Sequence, residues 1–239
     1  MKSVFQPFLV LGLTLFTSLP ARSEKVSVAT ILPEDLVEYE TEAASVRKLI
    51  EISLGLTTRR LGYQFGSNSP DNWGMDCSGT VQCALAKFGY EKLPRSSWDF
   101  YQWVRANGEF VETPAVATTE DPVFSSLKPG DLLFWKGTYT TKDRDPAISH
   151  VMIFLGTLKE DGAGVLFGSS SGRRYRGQTI HGVSVFDWEV PKSGSESKFV
   201  GYGRIPGLRP AEEESPPVEA NALKSLLEKL FKKSEASRP

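Results

Sequence analysis

Trp73-Gly74-Met75-Asp76-Cys77-Ser78-Gly79-Thr80-Val81-Gln82-Cys83-Ala84-Leu85 is a loop that runs into a helix. A glycine-and-polar segment, 66–74, precedes the cysteine. Behind it Val81, Ala84, Leu85 and Phe88 recur at helical spacing, and Gly89 ends the pattern. Cys77 therefore falls at or near a helix N-terminus. Aligned peptide dipoles and free N–H groups there favour a thiolate, which is the nucleophilic form of the side chain. The competing reading is a small buried apolar residue.

Upstream, residues 41–60 read as a helix with Val46, Leu49, Ile50, Ile52, Leu54 and Leu56 among charged positions. Residues 24–40 are weakly periodic and read as an extended lead-in. Downstream, Ser96 or Ser97 can cap a helix whose face is Trp98, Tyr101 and Val104. Residues 107–126 read as loop. Then come short apolar runs with the character of strands: 132–135, 148–156, 165–167, 180–186 and 199–205. Helices first, then strands with hairpin-length connections between the later ones, predict an α+β fold: N-terminal helices packed on an antiparallel sheet of about five strands.

The chain has 239 residues, 40% hydrophobic and 24% charged, with a formal net charge of −1. That is the composition of one globular domain with appendages, and it gives no electrostatic ground for a nucleic-acid partner. Lys2, the apolar run 8–16 and the small residues Ala21 and Ser23 read as a signal peptide, 1–23, cut before Glu24. The apolar run is short for a membrane span. The mature protein is thus expected to be exported, to the periplasm or the medium. The organisation predicted is a lead-in, 24–45, a domain, 46–206, an acidic proline-rich linker, 207–219, and a C-terminal amphipathic helix and tail, 220–239. In that helix Leu223, Leu226, Leu227, Leu230 and Phe231 form a stripe flanked by lysines. It can pack on the domain, or rest on a membrane surface or a protein partner. A monomer is expected.

Cys77 and Cys83 are the two cysteines. Six residues apart on one helix, they point to different faces, so two free thiols are expected, with Cys83 in the core. There are two histidines, His150 and His181. An imidazole is the base suited to a cysteine near neutral pH. His150 heads an apolar strand, at a sheet edge from which it can face a cleft.

At this point the residues carry a resemblance. Gly62-Tyr63-Gln64-Phe65-Gly66, Asp76-Cys77-Ser78-Gly79, Leu93-Pro94-Arg95-Ser96-Ser97, Leu127-Lys128-Pro129-Gly130-Asp131-Leu132 and His150-Val151-Met152-Ile153-Phe154-Leu155-Gly156 occur in the order and spacing of the NlpC-type family. These are papain-like cysteine peptidases acting on bacterial cell-wall peptides, and the resemblance runs from about residue 49 to 186. It implies Cys77 as nucleophile, His150 as general base and Tyr63 as a hydroxyl that holds the oxyanion or substrate. Asp76 and Ser78 match positions lining the substrate pocket; Asp76 can equally cap the helix. Arg95 and Asp131 read as turn and capping residues. The family's third, polar group falls near Gly168, which has no side chain, so the candidates are His181, Ser169 or a backbone carbonyl near Gly168. The resemblance implies a peptidoglycan stem peptide as substrate and thioester chemistry without cofactor or metal. Two rivals stand beside it: a non-catalytic wall-binding module of the same fold, and a cysteine acyltransferase or amidase.

Overall fold

The structure, a computed structural model, describes residues 27–113, 116 and 118–209. The predicted signal peptide, most of the linker and the C-terminal helix lie outside the described residues. In chain order the helices and strands are α1 (Ala44–Thr57), β1 (Gly62–Tyr63), β2 (Gly74–Met75), α2 (Cys77–Phe88), α3 (Ser97–Asn107), β3 (Phe110–Glu112), β4 (Leu132–Lys136), β5 (Ile148–Thr157), β6 (Gly164–Ser170), β7 (Arg174–Tyr175), β8 (Gln178–Thr179), β9 (Gly182–Asp187) and β10 (Lys198–Gly203).

Six strands form one antiparallel sheet in the order β3-β10-β4-β5-β6-β9. The fold is α+β, as the order of elements implied. One strand more than expected is present. β3 is a three-residue edge strand paired with β10, in the segment read as loop. Three residues, two half-buried and one exposed, carry too short a pattern for period-2 alternation to register.

The sheet is buried on both faces. Val46, Leu49 and Ile50 of α1, Val81, Ala84 and Leu85 of α2, and Phe100 and Val104 of α3 pack against Leu132, Phe134, Val151, Ile153 and Leu155. On the other face Leu133, Trp135, Met152, Phe154, Leu166 and Phe186 form a second cluster with Phe124 and Trp188. This double burial is why β4 and β5 read as continuous apolar runs rather than alternating ones.

The lead-in is bound along the domain. The Val185 N–H donates to Ala29 O (3.1 Å), Val37 N–H to Thr157 O (2.9 Å) and Lys159 N–H to Asp35 O (2.8 Å). Glu38 accepts from the backbone N–H and hydroxyl of Thr157 at 2.9 and 2.7 Å, and Leu36 is fully buried. The weak periodicity of this segment reflects long-range hydrogen bonding with two short 3-10 turns, Pro33–Asp35 and Tyr39–Thr41, in place of a regular element.

Gly79 sets how closely the loop before α2 can approach the helix. A Cβ at this position would lie 2.2 Å from Ser67 O and 2.8 Å from Asn68 Cα, both backbone atoms. Gly79→Ala is therefore expected to destabilise the protein by about 3 kcal/mol through overpacking. Urea unfolding checks this: an unchanged midpoint would show that the 66–69 loop does not rest on the first turn of α2.

Candidate active site

Asp76 places Cys77. Its Oδ1 accepts from the Gly79 N–H (2.6 Å), the N-cap bond of α2, and from the Ser78 hydroxyl (3.2 Å). Its Oδ2 accepts from the Gly66 N–H (2.9 Å). Arg95 closes on the same carboxylate with both guanidinium nitrogens, at 3.1 and 2.8 Å. Arg95 thus clamps Asp76 rather than serving only the turn before α3. Tyr63 comes to the site by backbone pairing: β1 and β2 run parallel with Tyr63 opposite Met75, two residues before the cysteine.

His150 lies on β5, opposite Trp135 of β4, with ring centroids 5.7 Å apart. Cys77 meets the same strand through its backbone. Its Sγ is 4.0 Å from Ser149 O, and the Val151 N–H faces the sulfur. The structure therefore sets the Cys77 sulfur against the backbone on either side of His150, while the imidazole itself lies with Trp135. Among the described residues there is no direct Sγ–imidazole hydrogen bond, a contact that often tightens only when substrate binds.

Burial governs both groups. It pushes the Cys77 thiol up to about 11, and the Asp76 carboxylate adds to the shift; the N–H groups of Val151, Ser78 and Cys77 itself offset it in part. The expectation that the helix N-terminus yields a resting thiolate is corrected accordingly, because desolvation outweighs the dipole. Burial likewise holds the His150 imidazolium well below the usual histidine range, and the positive charge of Arg173 adds to this. Both shifts favour the uncharged forms, the thiol and the neutral imidazole. Tyr63 is half-buried with its phenol raised, first by burial and then by the charges of Cys77 and Asp76, so its hydroxyl keeps its proton and can donate.

None of the expected third groups hydrogen-bonds the imidazole. Ser169 Oγ donates instead to Met75 O at 2.7 Å, tying β6 to β2. At Gly168 a Cβ would sit 2.8 Å from Met152 Cγ, so the methionine fills the space a larger residue would need. His181 is exposed just before β9, and its backbone N–H donates to Ser27 O at 3.2 Å. His150 Nε2 is buried without a hydrogen-bond partner among the described residues. The assignment of His181 or Ser169 as orienting group is not met in this arrangement.

A cavity of about 780 Å³ opens at the site, with Tyr63, Tyr139, Ser149, His150, Arg173 and Glu189 on its wall. Asp76, Cys77 and Ser78 are buried and do not reach this wall; Asp76 and Ser78 are committed to α2 and Arg95. Their expected role in lining the pocket gives way to holding the helix start, because a buried carboxylate takes the partners nearest to it. Arg173 is the residue that sequence reasoning passed over. The basic run Arg173-Arg174-Tyr175-Arg176 was its visible signal, but only the fold sets one of those arginines beside His150. Asp131, as expected, serves a turn by accepting from the Lys128 N–H (2.9 Å), and it also pairs with Arg204.

The sequence profile of the NlpC/P60 family matches residues 60–182, just over half of the chain. The chain belongs to the NlpC/P60 family. Among individual relatives, CwlT of Bacillus subtilis (strain 168), a bifunctional muramidase/DL-endopeptidase, is 36% identical over 94 residues. That alignment covers 39% of this chain and 22% of the relative. A protein of the NLP/P60 family from Staphylococcus aureus subsp. aureus Mu50, described as similar to lipoprotein, aligns over 69% of this chain and 42% of its own, with a TM-score of 0.42 and 20% identity. An NlpC/P60 endopeptidase from Photobacterium damselae subsp. piscicida aligns over 60% and 35%, with a TM-score of 0.34 and 15% identity.

The NlpC/P60 match spans Tyr63, Asp76, Cys77, Ser78, His150, Arg173 and His181. Two predictions follow from the site geometry. Because the Cys77 thiol is neutral at pH 7, its alkylation by iodoacetamide is expected to rise about tenfold per pH unit from pH 7 towards pH 10. Mass spectrometry of the Cys77 peptide reads this out, and a rate already at its plateau by pH 8 would contradict it. Asp76→Ala removes the α2 cap and strands Arg95. We expect a loss of about 2 kcal/mol of stability in chemical denaturation, with Asp76→Asn losing less because it can still cap.

Proposed function

We propose that this protein is an exported cysteine peptidase that hydrolyses amide bonds in the stem peptides of bacterial peptidoglycan. The observation that carries the proposal is the placement of Cys77, at the N-terminus of α2, against the backbone of the strand bearing His150, within the span matched by the NlpC/P60 family. The endopeptidase named in the CwlT relative supports the reaction class. The predicted signal peptide, 1–23, supports export to the periplasm or the medium.

In the proposed mechanism His150 takes the thiol proton as Sγ attacks the carbonyl carbon. Starting from neutral partners, proton transfer and attack proceed together, without a standing ion pair. The Tyr63 hydroxyl and the Cys77 N–H donate to the oxyanion. The imidazolium then returns its proton to the departing amine as the C–N bond breaks. Water, deprotonated by His150, hydrolyses the thioester and regenerates the thiol.

One observation favours a second reading, a non-catalytic wall-binding module: among the described residues no side chain hydrogen-bonds the imidazole, and His150 Nε2 has no partner. Digestion of purified peptidoglycan by the mature chain, with released fragments read by mass, separates the two. We expect new peptide fragments from the native protein and none from Cys77→Ala, with His150→Gln slowed by about 10³-fold or more. Equal fragment yields from native protein and Cys77→Ala would exclude Cys77 as nucleophile. Retention on peptidoglycan without fragments would favour the module.

A further inference from the structure

Arg173 is held at both ends. Its backbone N–H donates to Ser170 Oγ (3.3 Å) and its carbonyl accepts from the Ile180 N–H (2.9 Å). Its guanidinium carbon sits 4.1 Å from the centre of the buried Trp135 ring, the same ring that neighbours His150. Yet among the described residues this guanidinium makes no ion pair and no side-chain hydrogen bond. The side chain is partly exposed, and its charge stacks on the indole face. Glu189 lies on the same cavity wall, close enough for its charge to favour the guanidinium but beyond ion-pairing distance. A guanidinium fork on the cavity wall is thus left without a protein acceptor among the described residues. A planar carboxylate is the group that fits such a fork.

A second observation points the same way. His150 Nε2, on a side chain that is 7% exposed, has no hydrogen-bond partner. It lies beside the arginine whose charge opposes the imidazolium that the proposed chemistry must form. A carboxylate docked on Arg173 would neutralise that opposition and bring acceptor lone pairs into the cavity that His150 lines.

We propose that Arg173 is the carboxylate receptor of this site: it takes a free carboxylate of the bound wall peptide and selects against peptides in which that carboxylate is amidated. The peptide as ligand rests on the function proposed above; the preference for carboxylate rests on Arg173 alone. The bound carboxylate would then supply, from the substrate, a negative charge in the cavity that His150 lines.

The test uses two synthetic stem-type peptides that differ only in one group, carboxylate or carboxamide. Binding is measured by calorimetry on the full-length Cys77→Ala chain, and turnover on the native chain. Cys77→Ala is expected to bind the carboxylate peptide about tenfold more tightly than the carboxamide. Adding Arg173→Gln should bring the ratio of the two affinities close to one. Arg173→Lys, which keeps the charge over Trp135 but loses the fork, should retain part of the preference and serves if the glutamine variant does not fold. Equal binding of the two peptides, a preference that survives Arg173→Gln, or binding of neither peptide would each overturn the proposal. Carboxylate-selective binding without turnover by the native chain would overturn the hydrolase function and leave the receptor standing.

Discussion

The Asp76 carboxylate is the point on which the site depends. It caps α2, holds the Gly66 N–H of the preceding loop and closes a two-pronged pair with Arg95, all within 3.2 Å. Three chain segments meet on one buried group. Each partner satisfies a donor that would otherwise be orphaned at a helix start or in a tight loop. With this group in place Cys77 falls on the first turn of α2, and β2, two residues upstream, aligns Tyr63 beside it through parallel pairing with β1. Gly79 completes the constraint, since only a residue without Cβ lets the Ser67 carbonyl lie over that turn.

The same enclosure has an electrostatic consequence. A cysteine at a helix N-terminus usually gains thiolate character, but here Cys77 is 5% exposed and the capping carboxylate is its neighbour. Desolvation and a like charge together exceed the favourable field of a few N–H groups. His150 is displaced in the opposite direction by burial and by Arg173. Thiol and imidazole are thus both driven towards their uncharged forms. Under the carboxylate-receptor proposal, an anion on Arg173 would offset the charge that opposes the imidazolium.

Much of this was legible along the chain. The helices of α1, α2 and α3 follow from apolar periodicity with recognisable ends: Asp76 and Ser96 as caps, Gly89 as a stop. The long strands follow from apolar runs such as Leu132-Leu133-Phe134-Trp135. Cys77 and His150 stood out because thiol and imidazole are scarce in this sequence and because their flanking motifs recur in order. Two expectations failed for the same reason. The thiolate at Cys77 and the orienting role of His181 or Ser169 were drawn from neighbours along the chain, whereas burial and hydrogen-bond partners are set by residues far apart in sequence. Ser169 is spent on Met75, 94 residues away.

The sequence by itself determined the main elements, the α+β class and the membership in the family, and it singled out Cys77 and His150 as candidates, because periodicity, capping and motif spacing are local properties of a chain. The tertiary structure alone decided that β10 inserts between β3 and β4, that the lead-in is strapped to β9, that Met152 occupies the space beside Gly168, and that Arg173 rests on Trp135 next to His150. Those are long-range pairings. They arise when distant segments satisfy each other's backbone donors and fill each other's voids, and a local pattern carries no record of which distant partner will do so.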